Sequence, residues 1–195
     1  MKLSWFTLVP SRTKKEILNL EAAHPKTMGV AERKIKIVVF GAYNAGKSSF
    51  IRSLDPFSRH IEAENADGST TVAMDFGRIR IGDHAVFLFG TPGQERFEFA
   101  RKVLSRGMDG AIVVVDSTRD MDEITLSLFQ WLKTRGIPVA VMANKCDCAD
   151  ALPDQVKTRA PWFPVHAISA RTGMNVEPSL RAFLAEILSV RVPIP

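Results

Sequence analysis

The chain has 195 residues, 46% of them hydrophobic and 24% charged. That balance suits one domain of ordinary size and excludes a disordered polyelectrolyte. Its longest apolar runs reach only about eight residues, well short of the ~20 that span a bilayer as a helix. The net charge of +5 arises within the first 36 residues and the remainder balances, so the basic character is not that of a nucleic-acid-binding domain.

Residues 1–32 read as a basic N-terminal extension and residues 33–192 as a single domain. Within the extension, Trp5-Phe6 and Leu8-Val9 form a short apolar patch interrupted by Pro10 and Arg12-Thr13-Lys14-Lys15. A secretory leader needs a longer apolar core, so none is expected. Arg33 stands where a myristoylation signal starting at Met28-Gly29 needs Ser or Thr, and Val192-Pro193-Ile194-Pro195 carries no prenylation cysteine. Residues 13–23 fit one short helix. The segment is either a tail packed on the domain or a basic contact for a partner or an anionic membrane.

From residue 33 onward, strands and helices alternate. Ile35–Phe40 reads as a buried strand, and Lys47–Leu54 as a helix. Val72–Ile81 and Ala85–Phe89 flank Gly82-Asp83, a hairpin-turn signal. A helix over Glu95–Arg106 follows, then a strand at Ala111–Val115 and a helix at Asp122–Thr134. Val139–Ala143 is a strand, Ala151–Arg159 a helix, Phe163–Ile168 a short strand and Glu177–Val190 an amphipathic helix. Nearly continuous apolar strands alternating with helices predict an α/β fold. The expected sheet is six-stranded and mostly parallel with one antiparallel strand, and helices cover both faces. Cys146 and Cys148, the only cysteines, are too close in sequence to staple a fold, which points to a reduced, cytoplasmic protein.

The chemistry begins after the first strand. Gly41-Ala42-Tyr43-Asn44-Ala45-Gly46-Lys47-Ser48 fits G-x-x-x-x-G-K-[ST] without mismatch. Its glycines let the backbone curl so that N–H groups face phosphate oxygens, and the helix that follows adds its positive end. Gly41, Tyr43, Asn44, Ala45, Gly46, Lys47, Ser48 and Ser49 are the candidate phosphate contacts. Lys47 would reach the β- and γ-phosphates, and the Ser48 hydroxyl suits Mg²⁺.

Asn144-Lys145-Cys146-Asp147 follows the strand ending at Ala143. A carboxylate at Asp147 accepts from both N1–H and the exocyclic amine of guanine. Adenine has no donor at N1, so GTP and GDP are the expected ligands. The Lys145 stem can cover the face of the base. Ser169-Ala170 closes the last strand, where the Ala170 N–H is placed to meet guanine O6.

These motifs together make the chain similar to the small Ras-like GTPases over about residues 33–190. Thr70-Thr71-Val72-Ala73-Met74-Asp75-Phe76-Gly77 with Phe89-Gly90-Thr91-Pro92-Gly93-Gln94-Glu95-Arg96-Phe97 most resembles the prokaryotic members associated with roadblock-type regulators. The resemblance implies a GTP/GDP switch with slow, Mg²⁺-dependent hydrolysis. Thr71, or its neighbour Thr70, would meet Mg²⁺ and the γ-phosphate, Gly93 would sense that phosphate, and Gln94 would orient the attacking water. Residues 55–71 and 90–100 would be the two switches, contacting GTPase-activating and effector proteins.

Two departures stand out. The family's aspartate that holds Mg²⁺ through water is replaced by Gly90, so a carboxylate must come from elsewhere, with Asp75 the first candidate and Asp116 a weaker one. Tyr43 occupies a loop position that is glycine in Ras, where an inward ring would crowd an arginine inserted by a partner. Arg59 or Arg96 would then act from within the chain. The rival readings are a non-hydrolysing guanine-nucleotide scaffold and an ATP-using P-loop enzyme, though the latter leaves Asn144–Asp147 unexplained.

Overall fold

The computed structural model describes residues 33–64, 71–92 and 105–191. Its elements in chain order are β1 (Arg33–Phe40), α1 (Lys47–Leu54), β2 (Arg59–Glu64), β3 (Thr71–Ile81) and β4 (His84–Gly90). They continue with β5 (Gly110–Asp116), α2 (Glu123–Lys133), β6 (Val139–Asn144), α3 (Pro153–Arg159), β7 (Val165–Ala167) and α4 (Val176–Arg191). The expected helix at 13–23 and residues 95–104 of the expected helix at 95–106 lie outside the described residues. No helix among the described residues is long and apolar enough to cross a membrane.

The sheet is seven-stranded, in the order β2-β3-β4-β1-β5-β6-β7, one strand more than expected. The added strand is β2, which pairs antiparallel with β3 from Arg59 opposite Phe76 to Glu64 opposite Thr71. It falls inside the segment expected to be the first switch loop. As an edge strand it needs only one bonded side, and its sequence, Arg-His-Ile-Glu-Ala-Glu, carries the charges that edges tolerate. β3 alone runs against its neighbours, as expected.

Each central strand serves two cores because successive side chains point to opposite faces. Ile35, Ile37 and Val39 of β1 join Phe50 and Ile51 of α1 and Leu180, Phe183, Leu184 and Ile187 of α4. Val38 and Phe40 join Leu128, Phe129 and Leu132 of α2 and Val156 of α3. Gly110 lets α4 come close, since a Cβ there would stand 2.6 Å from Ile187 Cδ1 and 2.9 Å from Phe183 Cζ. Helix starts follow local chemistry. Asp122 caps α2 by accepting from the Thr125 N–H at 2.8 Å, and Pro153 sits in the first turn of α3.

This topology sets the site. Strands added after β1 lie on one side of it up to β4, and β5 to β7 lie on the other. The crevice at the C-terminal ends of β1 and β5 is therefore a topological switch point, the usual ligand position in open α/β sheets.

Candidate functional site

The loop leaving β1 curls as its sequence requires. Gly41 has φ 143°, Asn44 φ 63° and Gly46 φ 99°. A side chain at Gly41 would collide with the Val114 carbonyl, and one at Gly46 with the Asn144 amide, so both positions need glycine. Lys47 is buried and arches back over the loop, donating from Nζ to the carbonyls of Gly41 at 3.0 Å and Ala42 at 2.7 Å. Ser48 and Ser49 follow in the first turn of α1, whose N-terminal N–H groups face the crevice. This is a preformed anion cradle with one ammonium beside it.

On the other side, Asn144, the last residue of β6, is buried and bridges two loops. Its Nδ2 donates to the Ala45 carbonyl at 2.9 Å, and its Oδ1 accepts from the Ala170 N–H at 2.8 Å. The Ala170 N–H, expected from the sequence to meet guanine O6, donates here to Asn144. Asp147 Oδ1 accepts from the Ser169 hydroxyl at 2.6 Å, and Oδ2 from Arg171 Nε at 2.7 Å. The Ser169 bond, helped by the guanidinium, holds the Asp147 carboxyl below the usual carboxylate range. Lys145 takes a left-handed backbone with φ 69° and reaches Asp116 Oδ2 at 2.5 Å. Burial pushes the Asp116 carboxyl up, but Lys145 and Thr118 more than offset this and leave it lowered. Asp116 is therefore occupied on the base side of the crevice and is not a replacement for a metal-facing carboxylate.

A model of the elongation factor Tu GTP binding domain family matches residues 32–189. The chain belongs to that family. Its G domain is 32% identical over 117 residues, 60% of this chain and 73% of the relative, to an uncharacterized protein of Methanocaldococcus jannaschii. It is 28% identical over 187 residues to a Ras and EF-hand domain-containing protein homolog of Caenorhabditis elegans, covering 83% of this chain but 27% of that protein. Among solved structures, the cytosolic domain of the T. maritima FeoB iron transporter in a GDP form superposes with a TM-score of 0.65 at 20% identity, over 83% of this chain and 66% of that one. The Arl6 small GTPase of Trypanosoma brucei, with a bound nucleotide analogue, gives 0.60 at 21% identity, over 80% and 98%. The chain is thus a GTP-binding P-loop G domain, and the two structural likenesses speak for its fold.

Within this G domain, a carboxylate of the neighbouring strand stands beside Gly90. Asp75 of β3 lies directly across from Gly90 of β4. A Cβ on Gly90 would stand 3.2 Å from Asp75 Cβ and 3.4 Å from Asp75 Oδ2. The Asp75 carboxylate therefore adjoins the space a side chain at Gly90 would enter. The Ser48 hydroxyl donates to Asp75 Oδ2 at 2.5 Å, and His60 Nδ1 meets Oδ1 at 2.9 Å. A hydroxyl and a carboxylate together at the start of α1 are hard oxygen donors of the kind Mg²⁺ takes. Among the described residues no group of three or more His, Cys, Asp or Glu could hold a metal.

Tyr43 is 76% exposed, so its ring does not fill the space beside the loop. Arg59 is exposed on β2, and Thr71 opens β3. Thr70, Gly93, Gln94, Arg96 and most of the second expected switch lie outside the described residues. Sequence reasoning missed His60 because its strand was taken for loop, and it left Arg171 as a turn residue although it stands two positions after Ser169. Cys146 and Cys148 are not joined to each other.

Proposed function

We propose that this G domain is a GTP/GDP switch that hydrolyses GTP slowly and binds partners according to the nucleotide it holds. The observation that carries the reading is the carboxylate of Asp75, bonded to Ser48 and standing beside Gly90. A scaffold that had lost its chemistry would have no need of that substitution across the strands.

In this reading the N–H groups of the loop from Gly41 to Ser49 cradle the phosphates. Lys47 leaves its two loop carbonyls enough to share its ammonium with the β- and γ-phosphate oxygens. Ser48, Asp75 and Thr71 would hold Mg²⁺, which when bound offsets negative charge on those oxygens. Asp147, kept ionised, accepts from guanine N1–H and the exocyclic amine, while the Lys145 stem lies along the base. Gln94 orients the attacking water, and Thr71 and Gly93 register the γ-phosphate. Positioning and fixed charge carry such a reaction, so a low intrinsic rate raised by an activating protein is the natural outcome. Segments 55–71 and 90–100 form the partner surface, to which the exposed Tyr43 and Phe57 add aromatic area. The Thr70–Gly77 and Phe89–Phe97 patterns support a roadblock-type regulator among those partners, and two unbonded cysteines suit a cytoplasmic setting.

Turnover and binding on the same samples test the proposal. Wild-type protein with Mg²⁺ is expected to turn GTP over slowly and Gln94→Ala to lose turnover while keeping GTP and GDP binding. Asp75→Ala is expected to lose the Mg²⁺ dependence of GTP affinity. Tight GTP binding with no turnover above background, with and without cell extract as a source of activator, would leave a scaffold.

A further inference from the structure

The ends of α2 and α3 carry a second feature, away from the nucleotide. Both helices follow strands that end at the crevice and run back, so their C-termini lie at the far end of the molecule. There, residues 131–138 and 156–164 contain Lys133, Arg135, Lys157 and Arg159 and no acid. All four cations are exposed, and among the described residues no carboxylate pairs with any of them. Between them stand two of the chain's three tryptophans. Lys133 Nζ lies 4.5 Å from the ring centre of Trp162, and the Arg135 guanidinium 4.3 Å from that of Trp131. Trp162 is 46% exposed although Phe163 beside it packs on Phe129 at 5.7 Å.

Cations at helix C-termini complement the helix dipole, which accounts for Lys133, Lys157 and Arg159. It does not account for Arg135, which lies beyond the end of α2, nor for an exposed indole at the same spot. We infer that this face is a docking surface for an anionic lipid membrane. Cations contribute attraction to acidic headgroups, and indoles favour the headgroup level of a bilayer. Nucleic acid fits less well, because the cations already lie over the two indole rings and bases would have to displace them to stack.

The test uses the full chain and vesicles of phosphatidylcholine with or without phosphatidylserine. Wild type is expected to co-sediment only with the phosphatidylserine vesicles, less so at high salt. Each cation near such a surface contributes about fivefold in partitioning. Lys133→Glu with Arg135→Glu is thus expected to lower binding by about tenfold or more. Arg52→Glu with Arg181→Glu, an equal charge change on the helices of the opposite sheet face, is expected to lower it far less. Brominated acyl chains are expected to quench tryptophan emission, with part of that quenching lost in Trp162→Phe. GTP affinity and melting temperature, unchanged in the patch variant, show that it folds. The inference is overturned by absence of wild-type binding, by equal losses in the two double variants, or by quenching indifferent to Trp162. A patch variant that loses single-stranded RNA binding but keeps vesicle binding also overturns it.

Discussion

In the proposed reading, Asp147 is one carboxylate prepared for one base. The Ser169 hydroxyl and the Arg171 guanidinium hold it ionised and fix both oxygens at the rim of the crevice. A carboxylate offers two acceptors, and guanine offers two donors in a row. Asp147→Asn turns one acceptor into a donor while keeping the shape. Guanine then faces a mismatched pair, and xanthine, with a carbonyl in place of the amine, faces a matched one. A hydrogen bond to a charged group is worth roughly 1.5–3 kcal/mol, so GTP affinity is expected to fall about tenfold to a hundredfold or more. Xanthosine triphosphate is expected to gain affinity. Competition binding with the two nucleotides checks this, and a variant that weakens both equally would mean that Asp147 does not read the base.

At the scale of elements, the antiparallel register of β3 and β4 would make the position of the carboxylate exchangeable. Asp75 and Gly90 face each other across the ladder, so an acid at either position would reach the same space. Gly90→Asp alone brings two carboxylates into one space, with the new Cβ also only 3.1 Å from Ile51 Cδ1, and is expected to weaken Mg²⁺-dependent GTP binding. Gly90→Asp combined with Asp75→Gly removes the clash and is expected to restore binding at least in part. Mg²⁺ titration of nucleotide affinity in the three proteins decides it, and a double variant no better than Asp75→Gly would show that the acid must stand on β3. The sequence allowed Asp75 to be considered because a hairpin signal at Gly82-Asp83 sets that register. The helices expected at 47–54 and 122–134 were equally legible as the stretches between apolar strands. β2 was not, because an edge strand buries little and its charges look like loop. The bonds of Asn144 were illegible for another reason, since they join residues 99 and 26 positions apart that only the folded sheet brings together.

Over the whole molecule, a sheet with helices on both faces leaves its two ends chemically distinct. One end gathers the phosphate cradle, the Ser48–Asp75 pair and the base-reading loop. The other gathers Lys133, Arg135, Lys157 and Arg159 with two indoles. On the proposed readings, the nucleotide and a surface met by the far end would not compete for space.

The amide of Asn144 has a thermodynamic consequence. One side chain fixes both the loop that grips phosphate, through Ala45, and the loop that adjoins the base, through Ala170. Ordering either loop lowers the entropy still to be lost by the other, so the two halves of the ligand should help each other even when they are not covalently joined. Guanosine is expected to bind several-fold tighter in the presence of pyrophosphate, and pyrophosphate to gain by the same factor from guanosine, because such linkage is reciprocal. Asn144→Ala leaves a buried N–H unmatched at Ala170, at a cost of about 1–3 kcal/mol, and uncouples the loops. In that variant the two fragments are expected to bind independently, and calorimetric titration of each in the presence of the other measures the difference. Recognition of the base and grip on the phosphates would then be a single cooperative act, divided only when that amide is removed.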